Sequence, residues 1–322
     1  MDAMAGNVAH MHADDANPVT RPLTIVTASL ARIDLLNKLL PDRDLKLSGR
    51  VIYVGRSSME IQVSLDAVPE GQKDGLETLV NAYFTMVATY DGKAAPVNHL
   101  VPSCEEEQQL FNTGKENKKA RKEESKKSLS FAPPTEDERL IIHNLFLEVT
   151  GRKLMPNSVR SDVNTISMAS TTLDSVLQCQ LQERNTNNKV FGGYLMKQAF
   201  NLAWTNAHVF SASQPRFLAL DEVIFHRPVS IGDIVFFTSQ VVYTHGPTIG
   251  IEVVAEVMNY KTHTKVKSNT FHFLFTCPDA IVNRVVPVTY EESMKYLLGR
   301  RKHEASKKAA TSLQSALMRF YD

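Results

Sequence analysis

The residues best suited to chemistry gather around a glycine pair, Gly192-Gly193, at the head of the proline-free, largely apolar stretch Val190 to Phe210. The first N–H groups of a helix lack intrahelical acceptors, the helix dipole favours negative charge there, and glycine lets a carbonyl approach the backbone. The pair is therefore a candidate donor set for a developing oxyanion, set against the plainer reading of a tight turn into a helix. Asn185 and Asn188 lie just upstream. A neutral amide is no base near neutral pH, but it can hold a water or donate to a carbonyl. Asparagine is equally an ordinary turn and N-cap residue. A third group, Gly55-Arg56-Ser57-Ser58, sits between two β-rich runs. Arginine forks onto phosphate oxygens and serine donates or accepts, so this turn suits a phosphate-bearing substrate unless it is simply exposed.

Other chemistries are excluded by what is missing. Cys104, Cys179 and Cys277 are far apart with no Cys-x-x-Cys pair, which leaves no disulfide framework and no cysteine zinc site. There is no Gly-x-Ser-x-Gly elbow, Gly-x-Gly-x-x-Gly loop, P-loop or His-Glu-x-x-His, so serine hydrolase, nucleotide and zinc-hydrolase readings fall away. Neither a metal nor a cofactor is expected.

The elements that must position these groups come from an internal repeat. Aligning Tyr53 on Tyr243 sets Ser48 to Val63 against Ser239 to Val253, each a pair of β-rich runs around a turn, and each reading as a hairpin. Ala82 to Ala88 then matches the strand Thr270 to Thr276, in which Phe271, Phe273 and Phe275 alternate with His272 and Leu274 to give one apolar face. His272 reads as a strand histidine rather than a ligand. The apolar stretch after Gly192 must be surrounded, so the expected unit is a long helix wrapped by a curved antiparallel sheet.

Composition agrees with two such units. The chain has 322 residues, 43% hydrophobic and 22% charged, with 36 basic against 35 acidic residues. That is room for about two domains of ordinary size, and the balanced charge argues against wholesale disorder and against a generally basic nucleic-acid binder. Between the repeats, residues 105–160 form a charged connector. Its Lys115 to Lys127 run is read as a solvated face, as is Gly299 to Lys308, and Thr135-Glu-Asp-Glu138 caps one short amphipathic helix. No run approaches 18 apolar residues, and the N-terminus shows neither a signal sequence nor an Arg-rich transit peptide.

Two β-rich copies around a Phe-Gly-Gly helix, with Gln182 to Met196 leading in, resemble the double hot-dog acyl-CoA thioesterases, most closely their mitochondrial branch. Leu23-Thr-Ile-Val-Thr27, Gly55 to Glu60, Val97 to Pro102, Phe225-His-Arg-Pro228 and Glu291 to Tyr296 carry the same pattern. The resemblance implies an α+β double hot-dog that hydrolyses fatty acyl-CoA to free acid and CoA, with Gly55 to Ser58 on the CoA track. It also implies a catalytic carboxylate two turns into the helix, seven residues after the second glycine; here that position is Phe200. Aligning Asp2 to Gly6 with Phe200 to Trp204 puts Asp2 in the carboxylate position of the first copy. The expected site is thus composite: Gly192, Gly193, Asn185 and Asn188 from one half facing Asp2 from the other, with Asp2 as general base or as nucleophile through a mixed anhydride.

The same alignment implies a partial hot-dog over 1–104 that starts inside its helix and lacks its leader strand, a complete hot-dog over 161–290, and a helical tail over 291–322. An inactive hot-dog protein that binds acyl-CoA or serves as an assembly subunit remains the alternative. By resemblance the chain forms homo-oligomers, as trimers of double units, and resides in mitochondria, with a cytoplasmic location left open. No nucleic-acid partner and no membrane span are expected.

Overall fold

The computed structural model describes residues 1–17, 19, 23–35, 43–68, 77–126, 128–129, 132–154, 165–185, 189–258 and 262–320. The first half runs α1 (Asp2–Ala13), β1 (Thr24–Leu30), β2 (Ile33–Asp34), β3 (Leu45–Val54), β4 (Ser58–Ala67), β5 (Glu77–Tyr90) and β6 (Lys93–Ala94). Two helices follow, α2 (Glu105–Lys126) and α3 (Glu136–Leu154). The second half has β7 (Thr165–Ser167), β8 (Leu173–Gln178), α4 (Gly192–Ser211), β9 (Arg216–Leu220), β10 (Val223–Ile224), β11 (Ile234–His245), β12 (Thr248–Met258), β13 (Lys265–Thr276), β14 (Arg284–Val286) and α5 (Tyr290–Phe320).

Two six-stranded sheets result, one ordered β10-β1-β5-β4-β3 with β6 beside β5, the other β2-β9-β13-β12-β11-β8. The repeat extends to irregularities. Both hairpins shift register at matching places, between Val51 and Tyr53 and between Val241 and Tyr243, then again at Leu65/Asp66 and Ala255/Glu256. Such bulges sharpen local twist and help each sheet curl around its helix. The halves also exchange strands: Leu30 pairs with Val223 across the first sheet, and Ile33 with Leu220 across the second. Each half therefore lends one short strand to the other's sheet.

Each curled sheet holds one helix. Small residues let the helices approach: α1 buries Ala5 and Ala9, and α4 buries Leu195, Ala199, Ala203 and Ala207. Phe200 sits in the aromatic core, its ring centroid 5.5, 5.8 and 5.9 Å from those of Phe217, Phe273 and Phe275. The expectation that α4 is enclosed on all sides fails on one face, where Trp204 is 36% and Val209 63% exposed. Sheet curvature covers the alanine face, and the Trp204 indole is accommodated outside by stacking on His208 and donating to the Pro215 carbonyl.

The connector differs most from the sequence reading, with two helices where one short helix was expected. The charged run as far as Lys126 lies in α2, which packs on the outer face of β3 with Gly114 against Tyr53 and the Phe111 ring tilted against that of Tyr53, 5.1 Å between centroids. Arg121 of α2 donates to the buried Glu60 carboxylate through Nη1 and Nη2, at 2.7 and 2.5 Å. The basic run near the C-terminus is likewise engaged rather than merely solvated: Arg301 binds Glu138 and Lys302 binds Asp221. α5 packs on the outer face of β11, where Gly299 and Tyr296 meet Tyr243. The outer edge of β11 is covered by β8, whereas no strand among the described residues pairs with the outer edge of β3. His272 is buried beneath α5, 3.8 Å from Glu252, and burial holds its pKa below the ordinary value.

Candidate active site

The N-termini of α1 and α4 meet. Gly193, the second residue of α4, has a free backbone N–H because helix geometry leaves it no acceptor, and it donates to Asp2 Oδ2 at 2.8 Å. Asp2 Oδ1 accepts from the Thr27 hydroxyl at 2.9 Å. Both carboxylate oxygens are thus held, one by each half of the chain. Glycine keeps this approach unstrained: a Cβ at Gly193 would lie 3.2 Å from Asp2 Cβ and 3.4 Å from Oδ2, so Asp2 would have to give by a few tenths of an ångström. A Cβ at Gly192 would lie 2.8 Å from Phe225 Cζ, so that ring closes the other flank. Phe225 is fixed by its N–H bond to the Ala28 carbonyl, one strand residue beyond Thr27.

The structure distributes the expected site residues unevenly. Asp2, Gly192 and Gly193 come together. Gly193, expected to offer its N–H to an oxyanion, instead gives it to Asp2, while the Gly192 N–H has no hydrogen-bond partner among the described residues. Asn185 Oδ1 accepts from the Lys189 N–H at 3.0 Å, and the Asn185 N–H donates to the Lys189 carbonyl, so this side chain closes the loop ahead of Gly192. Asn188 lies outside the described residues. Gly55, Arg56, Ser57 and Ser58 form the β3–β4 turn, closed by Gly55 N–H to the Ser58 carbonyl at 2.7 Å. The Arg56 and Ser57 carbonyls accept from Val97 and Ala88, leaving the Arg56 side chain exposed.

Two contributors escaped the sequence reading, Thr27 and Phe225. Both lie within the family-like blocks Leu23 to Thr27 and Phe225 to Pro228, which is the only signal that marks them. Phe200 confirms that α4 brings no carboxylate to the seventh position after Gly193. Close to the lead-in, burial, with Asp233 and Glu183 nearby, pushes the Cys179 thiol up to about 11, so it carries little thiolate near neutral pH. No group of His, Cys, Asp or Glu among the described residues has metal-site geometry. No described helix is long and apolar enough to cross a membrane.

Two curled antiparallel sheets, each around one helix and completed by exchanged strands, constitute a double hot-dog. The human mitochondrial acyl-coenzyme A thioesterase 9 is 36% identical over 317 residues, spanning 97% of this chain and 71% of that protein. The chloroplastic acyl-coenzyme A thioesterase 2 of Humulus lupulus is 36% identical over 319 residues, spanning 92% and 71%. The chain belongs to the acyl-CoA thioesterase family. Among solved structures, a Staphylococcus aureus acyl-CoA hydrolase in complex with butyryl coenzyme A matches with a TM-score of 0.46 at 20% identity, over 49% of this chain and 99% of its own. An Agrobacterium tumefaciens acyl-CoA hydrolase matches with a TM-score of 0.33 at 16% identity, over 80% of each chain. No family model matches the sequence.

Proposed function

We propose that this chain hydrolyses fatty acyl-CoA to free acid and CoA at the junction of α1 and α4. The 2.8 Å bond from Gly193 to Asp2 carries the reading, because it sets a carboxylate of one half at the helix N-terminus of the other. Asp2 is the general base. It takes a proton from water, the hydroxide oxygen attacks the thioester carbon, and the tetrahedral intermediate collapses by expelling CoA thiolate, which recovers the proton. The Gly193 N–H and Thr27 hydroxyl hold Asp2 in register, and the Gly192 N–H receives the carbonyl oxygen as it becomes an oxyanion. Asn185 shapes the loop leading to that donor.

The β3–β4 turn contacts the CoA moiety through Arg56, Ser57 and Ser58. Charge reversal at Arg56 should raise KM for acyl-CoA more than for an acyl-pantetheine. The mitochondrial names of several relatives support a mitochondrial location; assembly into trimers of double units is what the family resemblance implies. The function is tested by following CoA release from medium- and long-chain acyl-CoA with a thiol reagent. Turnover above background supports the enzyme; acyl-CoA binding without turnover points instead to the inactive assembly subunit.

A further inference from the structure

The two sheets share a bulge but fill it with opposite chemistry. The register shift on β5 leaves Leu79 without a partner on β4, beside the Leu65–Val80 pair. The matching shift on β13 leaves Ser268 without a partner on β12, beside the Ala255–Asn269 pair. Leu79 and Val80 thus correspond to Ser268 and Asn269, and all four are buried: 2% and 6% exposed in the first half, 1% and 0% in the second. Leu79 and Val80 form a small apolar cluster with Ile33 and Leu35 packed against it. Ser268 and Asn269 reach for backbone instead. Asn269 Nδ2 donates to the Ile224 carbonyl at 3.0 Å. The Ser268 hydroxyl lies 3.1 Å from the Arg227 carbonyl and 2.8 Å from Asn269 Oδ1, and its one proton serves either.

Those two carbonyls bracket Phe225. Its N–H donates to the Ala28 carbonyl at 2.9 Å, as the Leu35 N–H does to the Leu218 carbonyl at 3.1 Å, which makes Leu35 the first-half counterpart of Phe225. Apolar packing around Leu35 is therefore replaced by a hydrogen-bonded clamp around Phe225. Stability does not ask for the clamp: apolar groups in place of a buried hydrogen-bonded pair can be nearly neutral, and the first half builds the same bulge with them. The neighbour of Phe225 supplies the reason. Its ring lies so close to Gly192 that a Cβ there would meet Cζ at 2.8 Å and Cε1 at 3.0 Å, and the Gly192 N–H has no partner among the described residues. An apolar contact tolerates sliding, whereas a hydrogen bond to a carbonyl fixes direction as well as distance, and bulges beside active sites re-aim side chains in this way.

We propose that Asn269, assisted by Ser268, is a positioning residue for hydrolysis. By anchoring the Ile224 and Arg227 carbonyls it fixes the Phe225 ring, and the ring fixes how the thioester carbonyl oxygen meets the Gly192 N–H. The role rests on the thioesterase reading and adds to it a residue that acts through Phe225 alone.

The test follows CoA release from acyl-CoA by Asn269→Val, which copies the first-half residue, by Ser268→Ala, and by each substitution in a Phe225→Ala chain. Asn269→Val should lower kcat about five- to tenfold with KM within about twofold, because a small displacement of the ring weakens a contact made in the transition state. Ser268→Ala should lower kcat about two- to threefold, and it carries the test if Asn269→Val does not fold. In the Phe225→Ala chain both substitutions should change kcat by less than about twofold, since the ring they hold is gone. Unchanged kcat in Asn269→Val, or in Ser268→Ala if that variant alone folds, overturns the positioning role. So does an equal fold-loss with and without the Phe225 ring, which a merely structural role would give. A parent chain that turns over no acyl-CoA fails the thioesterase reading and the positioning role with it, whereas an active parent with indifferent variants removes the positioning role alone.

Discussion

The two glycines at the start of α4 offer unequal room, and the inequality separates catalysis from stability. An alanine Cβ at 192 would lie 2.8 and 3.0 Å from two Phe225 ring atoms, against an optimum of about 3.5–4.0 Å between carbons. The Phe225 backbone is hydrogen-bonded to Ala28 and cannot retreat, so the partly buried ring itself must turn to make room. Overpacking of this kind costs about 1–3 kcal/mol, only partly offset by alanine's advantage over glycine in a helix, about 1 kcal/mol. At 193 the closest atoms, at 3.2 and 3.4 Å, belong to the Asp2 side chain, which needs to yield by only a few tenths of an ångström. Helix propensity then roughly cancels the strain, but the shift stretches the 2.8 Å bond that orients the base. A misplacement of about 1 Å can cost on the order of 10² in rate, so several-fold to tenfold is expected here. Gly192→Ala should therefore lower Tm by a few degrees. Gly193→Ala should keep Tm within about 1 °C while kcat falls roughly five- to tenfold. Thermal unfolding and CoA release on the same preparations decide it, and unchanged kcat in Gly193→Ala refutes the reasoning.

Three further outcomes follow from the same geometry. Thr27→Val removes one donor from Asp2 with little change of shape and should lower kcat about tenfold, whereas Thr27→Ser should not, as steady-state kinetics will show. Arg121→Leu strands the Glu60 carboxylate, 2% exposed, beneath α2 and should cost about 3–5 kcal/mol in denaturant unfolding. Glu138, bound by Arg301 across α3 and α5, has its pKa lowered from 4.5 to about 2, first by that hydrogen bond. A depressed folded pKa gives stability that is complete above about 4.5 and lost as pH falls through about 2. The stability difference between the parent and Arg301→Met, about 1 kcal/mol after solvent screening, should therefore be flat near neutrality and shrink below pH 4.5.

The hairpins, the aromatic strand and the central helix were legible because each writes its period into the apolar residues. Phe271, Phe273 and Phe275 alternate, and all three are buried. The connector helix α2 was not, for a physical reason. Its packing face is Phe111, Gly114, Lys118 and Arg121, one aromatic, one glycine and two basic stems, so no apolar stripe betrays it. Within the site, the glycine pair and Asp2 could be named because helix termini and family spacing single them out. Thr27 could not, since a threonine in a β-rich run is ordinary until the fold lays it beside a carboxylate. Nor does sequence reveal that Gly193 donates its free N–H to Asp2, because that contact joins residues 191 apart along the chain.

Asp2→Asn probes the shared site most directly. An asparagine can still accept from Gly193 and donate its amide to the Thr27 oxygen, so both hydrogen bonds survive while the base is lost. Measured together, kcat for acyl-CoA should fall by about 10² or more with Tm within about 2 °C of the parent. An Asp2→Asn chain that keeps its kcat would contradict a catalytic carboxylate supplied by α1.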